Sequence, residues 1–292
     1  ILKIPTIIIG LTVVAFGTSM PEFSVSLTAA MKGSNDLAVS NVLGSNIFNL
    51  LVVLGACSLI QPVQAKSSLL KKEFPFSIFI AVILLLLDSD FSISKVLEGE
   101  GTFTLGRLGG ILFLILFAVF LYATVKTALR SRDEMVDEEE YKVMSPVKSA
   151  LYIIIGLAGI IWGGDLVVDS ACNIAETFGL SQTFIGLTIV AMGTSAPELA
   201  VSVSAGISGS NAIAVSNVVG SNIFNLLLIL GVSSAIHPIA ISMASFVDLC
   251  VLLAVSLIAF GFVITGKRIN RAEGFTMIVM YLAYTAFSIW RG

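Results

Sequence analysis

The sequence predicts an all-α membrane protein made of two inverted-topology repeats of five helices each, and three observations support this prediction. Hydrophobic residues make up 57% of the 292 positions and charged residues only 12%, and the mean hydropathy is +1.01. These values are typical of membrane proteins. The stretch Ala15–Glu22 recurs as Ala191–Glu198, 176 positions later. Each copy places a carboxylate and a proline inside an apolar segment long enough to cross a bilayer.

Nine apolar spans are predicted along the chain, of which the third is short for a full crossing. They lie at about 4–31, 36–60, 74–89, 105–126, 148–171, 181–206, 212–236, 246–265 and 274–290. An odd number of spans is unusual for a duplicated protein, and the repeat accounts for it.

The repeat is long and the two copies face opposite ways. Residues 11–55 align with 187–231 without a gap, and 30 of the 45 pairs are identical. Five spans separate the copies, so the second is inverted in the membrane. This is the plan of many secondary transporters, whose ion site lies near the midplane between the repeats. Span 148–171 precedes the second copy and has no counterpart in the first. We therefore expect a helix of roughly thirty residues to be missing ahead of Ile1, so that nine of ten helices are present.

The predicted organisation is a first transmembrane repeat at 1–128, a hydrophilic linker at 129–147 and a second repeat at 148–292. Under the nine-span topology, twelve basic residues fall on one side of the membrane and four on the other. The positive-inside rule places the larger group, and with it the linker, in the cytoplasm. The larger group is Lys3, Lys66, Lys71, Lys72, Lys126, Arg130, Arg132, Lys142, Lys148, Lys267, Arg268 and Arg271, and the smaller is Lys32, Lys95, Arg107 and Arg291.

The two glutamates of the repeated stretch indicate a functional site. A carboxylate at membrane depth costs several kcal/mol unless it is paired, protonated or bound to a cation. Glu22 and Glu198 are therefore predicted to form one site that both repeats build.

Backbone carbonyls next to these glutamates are predicted as further oxygen ligands. Pro21 and Pro197 have no N–H for the carbonyl four residues earlier, and glycines at that earlier position loosen both helices. We expect carbonyls to turn away from the helical ladder, which is tolerated in a membrane only where they line a cavity. The carbonyls concerned are those of Ala15, Thr18, Ala191 and Thr194.

Neutral side chains on the same helix faces extend this oxygen set. Ser19, Glu22 and Ser26 follow i, i+3, i+7 spacing, and Asn41, Ser45 and Asn49 repeat at i+4. The second repeat has the same pattern at Ser195, Glu198, Ser202, Asn217, Ser221 and Asn225. Interhelical hydrogen bonding is the alternative explanation for serine and asparagine in a membrane. An all-oxygen set suits hard cations, and two carboxylates balance one Ca²⁺, or more loosely two or three Na⁺.

Other classes of function find less support. The three cysteines have no metal-ligand spacing and are predicted to be core residues, and the single histidine, His237, is predicted to be a cap or interfacial residue. No Lys or His lies in the spans near the serines to act as a base, which disfavours an enzyme. A formal charge of −3 gives no reason to expect nucleic acid as a partner. A cation channel would use the same oxygens as a filter, but broken helices in inverted repeats favour alternating access.

The motifs also resemble a known family. Gly-Thr-Ser-x-Pro-Glu followed by Gly-Ser-Asn-x-x-Asn, in inverted duplicate, is similar to the α-repeats of the calcium/cation antiporter superfamily. The closest resemblance is to its sodium/calcium exchanger branch, over the whole chain except the absent helix. It implies a multi-pass antiporter of a prokaryotic plasma membrane that exchanges Na⁺ for Ca²⁺, needs no cofactor and can function as a monomer. The ion ligands that it implies are Glu22, Glu198, Ser19, Ser195, Thr18, Thr194, Ser45, Ser221, Asn49, Asn225, Ala15 and Ala191.

One departure from the family pattern bears on the counter-ion. Some relatives, including potassium-dependent ones, carry an aspartate where this chain has Asn225. Two asparagines leave only two full charges in the centre, which favours a potassium-independent exchanger and leaves proton coupling open. Three aspartates outside the motifs, Asp165, Asp169 and Asp248, are predicted to be interfacial.

Overall fold

The computed structural model describes residues 10–64, 69–87, 103–130, 179–209, 211–266 and 268–291, together with some positions between 145 and 178. Its α-helices are α1 Ala15–Thr18, α2 Met20–Met31, α3 Asn35–Phe48, α4 Leu54–Ile60, α5 Phe74–Leu86, α6 Arg107–Arg130, α7 Gln182–Ile185, α8 Ala191–Thr194, α9 Ala196–Ile207, α10 Asn211–Phe224, α11 Leu230–Ile236, α12 Met243–Gly266 and α13 Arg271–Arg291. Five π-helical turns join or precede them, at Gly10–Val14, Asn49–Val53, Leu69–Glu73, Gly186–Val190 and Asn225–Ile229.

The all-α membrane fold predicted from the sequence is confirmed. Within the described residues, five continuous helices are long and apolar enough to cross a bilayer, and the bent pair Thr183–Thr194 and Ala196–Ile207 makes a sixth. Two of them are central, since 78% of Asn35–Ile60 and 89% of Ala212–Ile236 is buried over the most apolar stretch. In the other three that share is 22–39%, so these helices form the lipid-facing periphery.

The third predicted span begins earlier than its proline suggests. A π-helical turn, Leu69–Glu73, runs directly into α5, so the helix starts five residues before Phe74. Pro75 lies in the first turn of the α-helical part, where a missing N–H is tolerated. The helix is therefore longer than the apolar run alone indicates, and it includes Lys71 and Lys72.

Each repeat packs its central helix against the glutamate-bearing helix of the other repeat. Helix α3 contacts Gly186–Val190, and α10 contacts Gly10–Val14. At Gly44 a Cβ would lie 2.7 Å from the Leu187 carbonyl oxygen. The two central helices therefore approach their neighbours more closely than any larger residue allows. Gly220 is the counterpart in the second repeat.

The repeats also exchange contacts at their ends. Helix α4 packs against α13 and α6 against α11. Two short antiparallel sheets, which the sequence analysis did not predict, join the same halves. Strand β1 (Val63–Gln64) pairs with β4 (Arg268–Ile269), and β2 (Phe103–Leu105) pairs with β3 (Ile239–Ile241). One apolar core continues through both repeats, including Leu43, Ile47, Val219 and Ile223.

Asp248, predicted to be interfacial, is buried inside the protein, which the sequence did not indicate. Its side chain is fully buried in α12, where it accepts a hydrogen bond from Tyr284 and forms a 2.9 Å ion pair with Arg291, both of α13. Sequence position suggested an interface because Asp248 lies one turn into the helix. The partner that allows burial of the charge comes from another helix, 43 positions away.

Other predictions outside the site have mixed outcomes. Asp169 is exposed and pairs with Lys32, and His237 is exposed at the end of α11. Cys57 is buried as predicted, whereas Cys250 is exposed on a lipid-facing helix. Most of the predicted linker, with Asp165 and Cys172, lies outside the described residues.

Candidate ion-binding site

Two helix breaks place the glutamates. Ser19 and Ser195 interrupt the helices with φ and ψ of −82° and 5°, and −86° and 6°. Because Pro21 and Pro197 occupy the first turn of the next helix, Glu22 and Glu198 lie in a helix N-terminal turn. Free N–H groups and the helix dipole favour a negative charge there.

The carbonyls beside these breaks behave differently from the prediction. Ala15 and Ala191 do not leave the helical ladder, because each accepts the N–H of the serine four residues later at 3.0 Å. The hydroxyls of Thr18 and Thr194 also lie 3.4 Å from the Ala15 oxygen and 3.3 Å from the Ala191 oxygen, so both lone pairs of each carbonyl have a donor within the protein.

The two repeats exchange serine–glutamate hydrogen bonds across the centre. Ser195 donates to Oε1 of Glu22 at 2.7 Å, and Ser19 donates to Oε1 of Glu198 at 3.0 Å. Both glutamates are fully buried. Each carboxylate is therefore held by a hydroxyl of the opposite repeat, and neither half contains a complete site.

Threonine and asparagine side chains form a second crossed pair around these carboxylates. Thr194 donates to Oδ1 of Asn41 at 3.2 Å, and Thr18 lies 3.4 Å from Oδ1 of Asn217. The amide nitrogens of the same asparagines donate to Ser26 and Ser202. For Asn41, Asn217 and these two serines, the alternative explanation of interhelical hydrogen bonding therefore applies.

The serines of the central helices lie beside the same groups. Ser221 donates to Oε1 of Glu198 at 3.3 Å. The hydroxyl of Ser45 lies 3.4 Å from that of Thr194. The structure thus brings the predicted hydroxyls of both repeats to one centre.

Asn46 and Asn222 are the first asparagines of the repeated Gly-Ser-Asn-x-x-Asn motif, and no role was predicted for them. Each donates its amide hydrogen to the backbone carbonyl of the other at 3.3 Å. Each side-chain oxygen accepts from a predicted ligand, Asn225 at 2.9 Å and Asn49 at 3.2 Å. Their identity in both repeats was the available signal, because a buried amide in a membrane helix needs partners.

Among the predicted ligands, four buried acceptor oxygens have no hydrogen-bond partner within the described part of the chain: Oε2 of Glu22, Oε2 of Glu198, Oδ1 of Asn49 and Oδ1 of Asn225. They form two pairs of equivalent positions in the repeats. A buried acceptor without a partner costs about 1–3 kcal/mol, and more for a charged group. A bound cation would supply the interactions that these oxygens lack.

All twelve predicted ligands are buried, with at most 8% of any of them exposed. The part of the chain that the structure describes contains no cluster in which three or more His, Cys, Asp or Glu side chains are placed to hold a metal ion. The donor set thus consists of two carboxylates and neutral oxygens, which suits hard cations such as Ca²⁺ and Na⁺.

Comparison with known proteins gives a consistent result. The family model described as sodium/calcium exchanger protein matches residues 1–126 and 148–290. The chain is 38% identical to a putative antiporter, CaxA, of Alkalimonas amylolytica, covering 97% of this chain and 88% of that protein. It is 32% identical to the sodium/calcium exchanger MaX1 of Methanosarcina acetivorans, with coverages of 97% and 89%. Its fold matches the sodium-calcium exchanger NCX_Mj soaked with Na⁺ and Sr²⁺, with a TM-score of 0.71, 30% identity and coverages of 98% and 88%.

Proposed function

The chain belongs to the sodium/calcium exchanger protein family, and we propose that it exchanges Na⁺ for Ca²⁺ across a membrane at the site between its repeats. It acts as an integral membrane transporter rather than an enzyme. Alternating access, by which the site opens to one side of the membrane at a time, completes the proposal.

The observation that carries the proposal is the set of four partnerless oxygens. Two belong to carboxylates and two to amides, and both repeats contribute one of each. Ca²⁺ takes six to eight oxygen ligands of these kinds. The hydroxyls of Ser19, Ser45, Ser195 and Ser221 lie in the same centre and can supply more. The carbonyls of Ala15, Thr18, Ala191 and Thr194 complete the proposed ligand set, with the cation replacing the threonine hydroxyls that lie 3.4 and 3.3 Å from the Ala15 and Ala191 oxygens.

Charge counting explains why the transport is an exchange. Glu22 and Glu198 balance one Ca²⁺ or two Na⁺, so the two ions compete for the same carboxylates. With neither ion bound, two negative charges would be buried without compensation, which is strongly unfavourable in a low dielectric. The protein therefore switches readily between its inward-facing and outward-facing states only when an ion is bound, and this requirement couples the two fluxes.

The helix geometry supports alternating access. The glutamate-bearing helices are interrupted at Ser19 and Ser195, and one of them bends by 44° at that interruption. Interrupted helices at the interface of inverted repeats suit a rocking motion of one bundle against the other. The excess of basic residues on one side supports a cytoplasmic linker at 129–147 in a prokaryotic plasma membrane.

The decisive experiment is uptake of radioactive Ca²⁺ into proteoliposomes with gradients of Na⁺, K⁺ and pH imposed one at a time. A Na⁺ gradient alone is expected to drive uptake. Uptake driven only by the pH gradient would assign the protein to proton coupling, and a requirement for K⁺ would assign it to potassium-dependent exchange. Ca²⁺ currents that need no counter-ion would show a channel.

A further inference from the structure

The four asparagines at the centre of the molecule form one network with a defined polarity. Asn46 and Asn49 belong to the first repeat, and Asn222 and Asn225 to the second. All four side chains are buried, with at most 2% exposed. Their hydrogen bonds run across the repeat interface only: Asn46 pairs with Asn222 and Asn225, and Asn222 pairs with Asn46 and Asn49.

Backbone carbonyls determine the direction of this network. A carbonyl oxygen can only accept a hydrogen bond, so the group of Asn46 that faces the Asn222 carbonyl must be its NH₂. The side-chain oxygen of Asn46 is then on the opposite branch of the amide. That oxygen can only accept, so the group of Asn225 that lies 2.9 Å from it must also be an NH₂.

The consequence for Asn225 is that its own oxygen points away from Asn46. This oxygen is one of the four buried acceptors of the site that have no partner within the described ranges. The mirror arrangement holds in the other half, where Asn222 receives the NH₂ of Asn49 at 3.2 Å and leaves the Asn49 oxygen free.

We propose that Asn46 and Asn222 are positioning residues that turn the amides of Asn225 and Asn49 so that oxygen, and not NH₂, faces the transported cation. The proposal rests on the proposed function, because it assigns Asn49 and Asn225 as ion ligands. Its specific content is that each orienting residue and the ligand that it orients belong to different repeats. Residue 46 of the first repeat orients residue 225 of the second, and residue 222 orients residue 49. Each repeat thereby sets the ligand orientation of the other.

The physical need for such a residue is plain from the chemistry of an amide. Rotation of the terminal CONH₂ group by 180° is only weakly restricted by the side chain itself. A reversed amide would direct two N–H groups, with partial positive charge, at a cation. Loss of an outer partner that orients a metal ligand typically lowers metal affinity roughly 10- to 100-fold.

The test is a crossed set of double mutants with Ca²⁺ affinity of the detergent-purified protein as the readout. Asn46→Ala removes the acceptor for Asn225 but keeps the backbone carbonyl that orients Asn222. It is expected to weaken Ca²⁺ binding roughly tenfold or more. In an Asn225→Asp background the same substitution should cause no loss, because a carboxylate presents oxygen on either branch. In an Asn49→Asp background the full loss should remain. Asn222→Ala should show the reverse pattern, coupling to residue 49 and not to residue 225.

A merely structural role predicts a different result. Loss of packing at residue 46 would weaken Ca²⁺ binding equally in all three backgrounds, and that outcome would overturn the proposal. Coupling of Asn46 to residue 49, its neighbour one turn away, would overturn it as well. Should Asn46→Ala fold poorly, Asn46→Ser replaces it, since its hydroxyl stops one bond short of the amide oxygen.

The readout keeps the two proposals apart. Ca²⁺ affinity does not depend on which counter-ion drives transport, so failure of Na⁺ coupling in wild-type proteoliposomes would change the proposed function and leave the mutant cycle interpretable. Unaltered Ca²⁺ affinity in Asn46→Ala and Asn222→Ala, with intact exchange in the wild type, would refute only the positioning role.

Discussion

The hydroxyl of Ser195 donates a 2.7 Å hydrogen bond to Oε1 of Glu22, although the two residues lie 173 positions apart and in different repeats. An ion that binds Glu22 is therefore in reach of groups from both halves at once. When one repeat moves against the other, this hydrogen bond must break unless the two residues move together. The proposed site is therefore a property of the interface between the repeats.

The first prediction concerns the two carboxylates. Glu22→Gln or Glu198→Gln retains the size of the side chain but leaves one negative charge to balance a divalent cation. Each substitution should reduce Ca²⁺ uptake into proteoliposomes to background, a loss of about 100-fold or more. Glu273→Gln, in the first turn of α13 where the side-chain oxygen accepts the Asn270 N–H, is the matched control and should transport like the wild type. Near-normal transport by either site variant would exclude the shared central site.

The second prediction concerns Asn225→Asp. Asn225 donates its NH₂ to the side-chain oxygen of Asn46 at 2.9 Å, and a carboxylate cannot make this bond. The variant would place three acidic groups in the site, and the new carboxylate would face the side-chain oxygen of Asn46, which is also an acceptor. It therefore requires a proton or an additional cation. At low pH, where the proton is supplied, transport should approach wild-type behaviour, and it should diverge as the pH rises.

The measurement is Na⁺-dependent Ca²⁺ flux against pH, with and without K⁺. Stimulation by K⁺ at high pH is expected because a monovalent cation can replace the proton. Asn49→Asp, which loses the equivalent bond to Asn222, should respond in the same direction. Unchanged pH and K⁺ profiles in both variants would place these asparagines outside the ion site.

The third prediction concerns the close approach of α3 to the second repeat. In Gly44→Ala the new Cβ would lie 2.7 Å from the Leu187 carbonyl oxygen and 2.9 Å from Cβ of Ala191. Backbone has to move to accommodate it, and overpacking of this kind costs about 1–3 kcal/mol. A lower thermal-unfolding midpoint in detergent and slower exchange are expected. Gly261→Ala, whose Cβ meets no atom within 4 Å, should leave both quantities unchanged.

The fourth prediction concerns the buried ion pair between α12 and α13. Arg291→Met leaves the fully buried Asp248 without its cationic partner, and removal of one partner of a buried pair costs about 3–5 kcal/mol. Because 20% of the Arg291 side chain is exposed, the loss should fall at the lower end of that range. The midpoint of thermal unfolding reports it.

The double variant Asp248→Asn with Arg291→Met is the control for this effect. It removes the isolated charge while the amide retains an acceptor for Tyr284, so most of the lost stability should return. Equal destabilisation by the single and double variants would show that the contribution of Arg291 is packing and not charge.

The sequence by itself determined the membrane class, the duplication and the residues of the proposed site. All three can be recognised from local sequence patterns. Glu22 and Glu198 stand out because a carboxylate in an apolar span is unfavourable in any fold. The similarity of residues 11–55 to 187–231 is visible without any structure.

Only the tertiary structure decided which polar groups face one another. Sequence periodicity assigns a residue to a helix face, but it does not say which residue of a distant helix lies opposite. For that reason Asp248 looked interfacial and is buried beside Arg291, and Asn46 and Asn222 received no role. The crossed hydrogen bonds of Ser195 with Glu22 and of Asn46 with Asn225 depend on the packing of two repeats against each other. That packing is set by the summed contacts of many side chains, and no single segment of the chain contains it.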